Sequence, residues 1–469
     1  MIHPEAADIE TLTERYVRRR QSLREAVREG VILIPASTTA WRSADNRWPF
    51  RQSSHLLYLV PIIRPGLLLA LDVDNGRDIL FAPAEDPDDL VWHGPNPAIR
   101  EEAAAVGIDD VRDGSDLPQF LNEVRGVGRP IHLPPIFQPG VREEVAGWLG
   151  IAPEGVQARV SEELIRALGE QRLIKDEQEI GEIERALNVT AEMFRAAMQV
   201  ARPGISEAAV RGEMARVVLG ANMTFSFNPI VTVEGEVLHK ETYHNTLADG
   251  DLLLIDAGVE TPAGYASDIT RTVPVSGTFT GRQREIYEIV LAAQLAAIAE
   301  IVPGASFRAV HDRASRVIAS GLTKLGLMRG DPAEAVAAGA HALFFAHGLG
   351  HPLGLDVHDL HDLGDEVAYD PDQPRSQKFG TRFLRFGRTV KQGMVLTVEP
   401  GIYFIPALID SWRAENRHAD FIDYGAVDRY RTFGGIRIED DVLCEEAGSR
   451  VLGPDIPKLP HEVEEAMRG

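Results

Sequence analysis

Two segments, one starting at Pro203 and the other at Pro303, limit what this chain can fold into more than any other feature. PGISEAAVRGEMARVV (203–218) and PGASFRAVHDRASRVI (303–318) agree at Pro, Gly, Ser, Ala, Val, Arg and Val, seven of 16 positions at an offset of 100. In each, Pro-Gly closes one helix and a serine, Ser206 or Ser306, stands where it would cap the next. A hydroxyl there accepts from a backbone N–H that has no helical partner. Two ordinary helix-turn-helix corners would read this way. So would a domain of two similar αβ halves facing one another, whose central site would take its side chains from widely separated segments.

At 469 residues the chain exceeds one ordinary core and predicts two domains. EELIRALGEQRLIKDEQEIGEIERALNVTAEMFRAAMQ (162–199) is strongly helical, with Ile180, Ile183, Leu187, Phe194 and Met198 on one stripe. The boundary is placed near residue 172, giving domains 1–171 and 172–469. The first domain reads as α/β. VILIPA (31–36) is a buried strand, and LLLALDVDNGRDILFAP (67–83) is a hairpin about Asn75-Gly76, a pair that suits a primed turn. IHLPP (131–135) is a further strand, and WPFRQSSHLLYLV (48–60) is the most distinctive stretch.

Composition excludes several classes. Hydrophobic residues make up 44% and charged ones 25%, the balance of a soluble globular protein. A formal charge of −23 argues against nucleic acid or an anionic membrane as main partner. No run reaches the ~18–20 apolar residues of a membrane span. The opening MIHPEAADIETLTERY is acidic and lacks the apolar core of a signal peptide. The single cysteine, Cys444, leaves no intrachain disulfide and no thiolate metal cage. A cytoplasmic enzyme is the expectation.

Chemistry concentrates in the second domain. FAHGLGHPLGLDVHD (345–359) carries His347, His351 and His358 among glycines and leucines. In DLLLIDAGVETPAGYASDITRTVPV (251–275), a hairpin sets Asp256 beside Asp268. Either one aspartate caps a turn and the other is solvated, or a cation lies between two anions that repel at close range. In GMVLTVEPGIYF (393–404), Glu399 ends an apolar strand and needs a partner. In FGGIRIEDDVLC (433–444), Glu439 shares a strand face with Arg437, or is simply a surface acid in the run EDD. Four carboxylates and one imidazole are an oxygen-rich donor set that would neutralise two divalent cations. Such a set favours Mn²⁺, Co²⁺, Fe²⁺ or Zn²⁺ over Cu⁺, with six-coordination tilting toward Mn²⁺. Two cations roughly 3.5–4 Å apart hold a bridging hydroxide and polarise a carbonyl, which is amide-hydrolysis chemistry.

The ordered series DAGVE…YASDITRT, HGLGHPLGLDVHD, MVLTVEPGIYF and GGIRIEDDV resembles the proline-specific pita-bread metallopeptidases, the aminopeptidase P and prolidase group (M24B-like), over roughly residues 174–460. PFRQSSHLLYL is similar to that family's amino-terminal domain. The resemblance implies an α+β fold: a C-terminal pita-bread (creatinase/aminopeptidase-like) catalytic domain after a smaller α/β domain. It implies metal ligands Asp256, Asp268, His351, Glu399 and Glu439, with Asp268 and Glu439 bridging two ions. Glu399 would also shuttle the proton from the attacking water to the leaving nitrogen. His347 and His358 would hold substrate and stabilise the tetrahedral intermediate, and His361 would be a surface residue. An upstream histidine is expected at His239 or His244; His239, 17 residues before Asp256, is preferred. Arg437 would orient Glu439. Asp256 and Asp268 lie 12 positions apart, one more than the family pattern, which a hairpin tip absorbs.

The expected substrate has proline second, a tertiary amide that common peptidases fail to cut. An Xaa-Pro aminopeptidase would trim longer peptides, whereas an Xaa-Pro dipeptidase must cap the substrate carboxylate. The segments 365–388 and 404–433, and Arg385 at a position matching a carboxylate-binding arginine, resemble prolidases. Arg382, Arg385 and Arg388 would otherwise be a solvated basic face. The amino-terminal signature favours aminopeptidase activity, which is the reading taken. A creatine-hydrolysing relative or a metal-free binding module would lack the five ligands, and methionine aminopeptidases usually lack a domain like residues 1–171. A homodimer or homotetramer is expected.

Overall fold

The computed structural model describes residues 6–84, 88–94 and 97–468, so the first five residues of the acidic amino terminus lie outside the described part. Two compact units are present: Met1–Arg172 with Asp362–Val367, and Leu173–His361 with Ala368–Gly469. The first unit is therefore not one contiguous stretch. Inside it Asp362 accepts from the ring of His55 at 2.7 Å, and His55 Nδ1 meets the Arg172 guanidinium at 2.8 Å.

The first unit is a five-stranded sheet with helices, led by α1 (Ala6–Val27). The all-apolar run Val31–Ile34 makes β1 (Val31–Pro35), buried along its whole length. β2 (Leu68–Asp72) and β3 (Arg77–Ala82) pair antiparallel across the four-residue loop 73–76; Gly76 takes positive φ, 65°, but Asn75 does not, so the connection is not the two-residue primed turn that Asn75-Gly76 suggests. β4 (Asp110–Asp113) and β5 (Ile131–His132) add parallel edges, giving the order β4-β3-β2-β1-β5. IHLPP yields only a two-residue strand, because Pro134 and Pro135 have no N–H to give the ladder.

The long helical segment breaks in two. α2 (Glu162–Leu173) stops, and α3 (Glu177–Val200) starts from a reciprocal cap: Asp176 accepts from Glu179 N, and Glu179 accepts from Asp176 N. Ile183, Leu187, Phe194 and Met198 are buried along α3, with Ile180 half-buried.

α3 packs on α4 (Glu207–Gly220), and α5 (Gly281–Ile298) packs on α6 (Phe307–Lys324). The related turns before α4 and α6 are tied to following strands in the same way. Gly204 N donates to Leu247 O at 2.8 Å and Gly304 N to Val390 O at 2.9 Å; Glu207 N donates to Asn245 O and Phe307 N to Arg388 O, both at 3.0 Å. Ser206 caps through Ala209 N at 3.1 Å. Ser306 holds the N-cap position without a side-chain cap bond, although both serines share a backbone bridge to a following threonine, Ser206 to Thr246 and Ser306 to Thr389.

After each turn comes an antiparallel sheet. In the first half it joins β6 (Ile230–Thr232), β7 (Leu252–Ala257) and β8 (Ile269–Pro274). In the second, β9 (Val395–Val398) pairs with β12 (Asp440–Glu445), while β10 (Gly401–Tyr403) and β11 (Gly435–Arg437) form a ribbon. The halves are stitched at several points: Lys175 N donates to Gly393 O and Ala266 N to Gly354 O, both at 2.8 Å, and Glu439 N donates to Thr270 O at 3.0 Å. Among the described residues no helix is long and apolar enough to cross a membrane.

Candidate metal centre

Around the stitch between Glu439 and Thr270 the second unit holds a cavity of ≈ 640 Å³, lined by Asp256, Asp268, His351, Glu399 and Glu439 together with His239, His347, His358, Arg385 and Arg437. Asp256 lies on β7 opposite Thr270, and Asp268 immediately precedes β8, so one hairpin presents both carboxylates. Glu399 follows β9. Glu439 bridges to Thr270 and is only 2% exposed, which removes the reading of a surface acid. His351 reaches the site because its loop lies against β9. A side chain at Gly350 would come within 1.9 Å of Thr397 O, so only glycine fits there.

One donor atom each from Asp268, His351 and Glu439 falls within 4.8 Å of the others. His351 Nε2 stands 3.5 Å from Asp268 Oδ2 and 3.8 Å from Glu399 Oε1, too far for hydrogen bonds. Ligand bonds of about 2.1 Å at roughly tetrahedral to octahedral angles separate donors by about 3–3.5 Å, so the gap suits a cation better than direct contact. The His351 tautomer agrees. Its Nδ1 meets Pro352 O at 3.0 Å, and since a carbonyl only accepts, the proton sits on Nδ1 and the Nε2 lone pair faces the cavity. Asp256 Oδ1 and Asp268 Oδ1 are buried with no hydrogen-bond partner among the described residues. Burial first, and then their neighbouring carboxylates, push Asp268 and Glu439 well above the usual carboxylate range. Burial pushes Glu399 up to about 7, against the pull of His351 and Arg437. Crowded, desolvated anions with vacant lone pairs fit divalent cations.

Arg437 is buried and donates to Asp256 Oδ2 at 2.5 Å, to Tyr403 Oη at 2.8 Å and to Thr270 Oγ1 at 3.2 Å. It therefore grips Asp256, not Glu439 as expected; Glu439 Oε2 accepts instead from Thr270 Oγ1 at 2.6 Å. Tyr403 Oη also meets His347 Nε2 at 2.8 Å, and His347 Nδ1 meets Gly348 O at 2.8 Å. By the carbonyl argument His347 is protonated on Nδ1, so Tyr403 donates to its Nε2. Burial lowers the His347 pKa to about 3, keeping the ring neutral. The His358 ring stands edge-on to His351 at 4.5 Å between centroids. Thr270 and Tyr403 were not singled out from sequence. The available signal was a hydroxyl inside an apolar strand, which needs a partner when buried.

His239 lines the cavity, whereas His244 is exposed and outside the lining. The three arginines of 382–388 do different things. Arg382 is exposed and stacks on Phe379 and Phe383, Arg388 meets Asp370 at 3.4 Å, and Arg385 turns into the cavity, 3.5 Å from the exposed His361.

Two facing αβ halves that close around buried carboxylates and one imidazole define a metal-dependent hydrolase. The profile of metallopeptidase family M24 matches residues 181–446, and that of the aminopeptidase P N-terminal domain matches residues 16–130. The chain belongs to metallopeptidase family M24, with the aminopeptidase P type of amino-terminal domain. It is 34% identical to the Xaa-Pro aminopeptidase of Escherichia coli K12 over 97% of both chains. It is 32% identical to a probable Xaa-Pro aminopeptidase of Fusarium vanettenii, over 91% of this chain and 88% of that one. Among solved structures, Pseudomonas aeruginosa aminopeptidase PepP superposes with a TM-score of 0.79 at 30% identity, covering 97% of this chain and 98% of that one. Zinc-substituted E. coli aminopeptidase P in complex with product gives 0.78 at 32% identity, with the same coverage.

Proposed function

We propose that the chain is an Xaa-Pro aminopeptidase, removing the first residue from peptides with proline second. The carrying observation is the gathering of Asp256, Asp268, His351, Glu399 and Glu439 around one cavity, in a chain similar over nearly its full length to Xaa-Pro aminopeptidases. These five residues would hold two divalent ions, Mn²⁺ foremost, with Asp268 and Glu439 shared between them. When bound, the ions would supply Lewis-acid polarisation of the scissile carbonyl and an acidified water.

The chain's own residues do the rest. Glu399 takes a proton from the attacking water and passes it to the proline nitrogen. Its carboxylate lines the cavity 3.8 Å from His351 Nε2, where it can reach both the water and the leaving nitrogen. His347 and His358 hold the peptide and stabilise the tetrahedral intermediate, and His239, which also lines the cavity, binds substrate. Arg437 fixes the carboxylate of Asp256. Phe227, Ile230 and Leu238 supply the apolar wall that receives the ring. Residues 172–469 carry this chemistry, and residues 1–171 form the accessory domain. We further assign the protein to the cytoplasm as a homodimer or homotetramer. The charge of −23 supports peptides over nucleic acid or anionic lipid as partners.

Arg385, turned into the cavity, favours a second activity on Xaa-Pro dipeptides, whose free carboxylate it would receive. Incubation with Ala-Pro-Ala and Ala-Pro side by side, Mn²⁺ added, decides. Release of alanine from the tripeptide is expected. Cleavage of the dipeptide alone would make the enzyme a prolidase.

A further inference from the structure

His358 sits on a stretch, 352–360, that contains no helix or strand, yet its ring is held edge-on to His351. The residue after it shapes the loop. Asp359 N donates to Pro352 O at 2.9 Å and closes the loop on itself. Asp359 Oδ1 accepts from Asp356 N at 3.4 Å, and Oδ2 accepts from Lys175 Nζ at 2.9 Å. Both side chains of the ion pair are 1% exposed. Lys175 is itself pinned, its backbone N donating to Gly393 O at 2.8 Å, just ahead of β9. The fit is tight: a Cβ on Gly354 would lie 2.6 Å from Asp359 Oδ2 and 3.1 Å from Lys175 Cε.

Stability alone does not account for a charged pair here. Two buried charges lose their hydration, and apolar residues of similar volume commonly hold the same segments together as well. What the pair adds is direction, since a carboxylate gripped at both oxygens fixes the backbone on either side of it. We propose that Lys175 and Asp359 are positioning residues for His358, locking its loop so that the ring faces the reacting peptide. The inference rests on the assignment of His358 to substrate binding in the proposed function.

The test replaces the lock with an apolar contact. The Lys175→Met/Asp359→Leu double variant is expected to keep the wild-type Tm and Mn²⁺ content, yet lose tenfold to a hundredfold in kcat on Ala-Pro-Ala with less than threefold change in KM. Lys175→Arg, which keeps the charge, should recover most of that loss. A double variant with wild-type Tm and kcat within twofold of wild type overturns the proposal. Should the double variant not fold, the isosteric Asp359→Asn decides: a fivefold or greater fall in kcat supports the lock, and unchanged kcat overturns it. If the wild type cleaves no Xaa-Pro peptide, it is the activity reading that fails. The lock is then judged by a crystal structure of Asp359→Asn, in which a His358 ring still edge-on to His351 overturns it and a displaced ring supports it.

Discussion

Arg437 and Asp256 meet at 2.5 Å inside the second unit, 181 residues apart in the chain. The guanidinium occupies one oxygen of the carboxylate and leaves the other, Oδ1, buried and without a partner among the described residues. One aspartate is thereby oriented by protein on one side and left open on the other. Removing one member of a buried pair typically costs about 3–5 kcal/mol. Arg437→Gln should lower the Tm of the metal-free protein and weaken Mn²⁺ binding measured by calorimetry. Wild-type values for both would show that the pair does not orient Asp256.

Glu399 is assigned the proton transfer. Glu399→Gln keeps the shape and removes the base, so kcat should fall by about 10²–10⁴ with the circular dichroism spectrum unchanged. Turnover near the wild-type rate would remove Glu399 from the reaction.

Divalent ions should stabilise the fold itself. Asp268 and Glu439 are buried beside other carboxylates, and each is driven toward its neutral form. A ligand that binds only the folded state adds RT ln(1 + [L]/Kd), about 2.7 kcal/mol at a hundredfold excess over Kd. Chelator-treated protein should melt lower than protein with Mn²⁺ restored, and Asp268→Asn should shrink the difference. A Tm indifferent to Mn²⁺ would argue against the centre, whatever the activity.

A buried histidine pair behind the lining of the catalytic cavity predicts a pH effect. His311 and His341 lie 6.4 Å apart between ring centroids, and none of their ring nitrogens has a hydrogen-bond partner among the described residues. Burial, and then the neighbouring His341, lowers His311 to about 3; burial, and then His418, lowers His341 to about 4. Above the unfolded pKa of about 6.5 neither state is protonated and the pair has no pH-dependent effect. As pH falls below that value the unfolded chain takes up protons that the folded one refuses, so stability declines, by about 1.4 kcal/mol per histidine at pH 5.5. His311→Phe should flatten the fall in Tm between pH 7 and 5, measured with Mn²⁺ present throughout. A slope equal to that of wild type would mean that His311 is protonated in the fold.

Local features of the fold were legible where local chemistry decides. The unbroken apolar run of β1 and the hairpin that follows it come from residues next to one another, although its loop is four residues long and not the tight primed turn. Acids inside apolar segments marked out Asp256, Asp268 and Glu399, but turn caps and a surface acid at Glu439 were open readings, and it was the family resemblance that selected the five together. The break at 174–176 was also written, as Asp176 with Glu179 three positions on, but strong helix formers on both sides hid it. Long-range pairing left no such trace. Thr270 with Glu439, Tyr403 with His347 and Lys175 with Asp359 are joined across 169, 56 and 184 positions, with no period to reveal them. Arg437 was assigned to Glu439 from nearness in sequence, and the hairpin brought Asp256 closer.

The short excursion Asp362–Val367 bears on how this polypeptide can be cut. The chain runs into its amino-terminal body a second time, at Asp362 after leaving it at Arg172, to deliver the carboxylate that faces His55. A fragment expressed to Arg172 would carry His55 and the Arg172 guanidinium side by side with their counter-charge missing. Severing the gene at the obvious junction would thus yield a piece lacking one of its own internal struts.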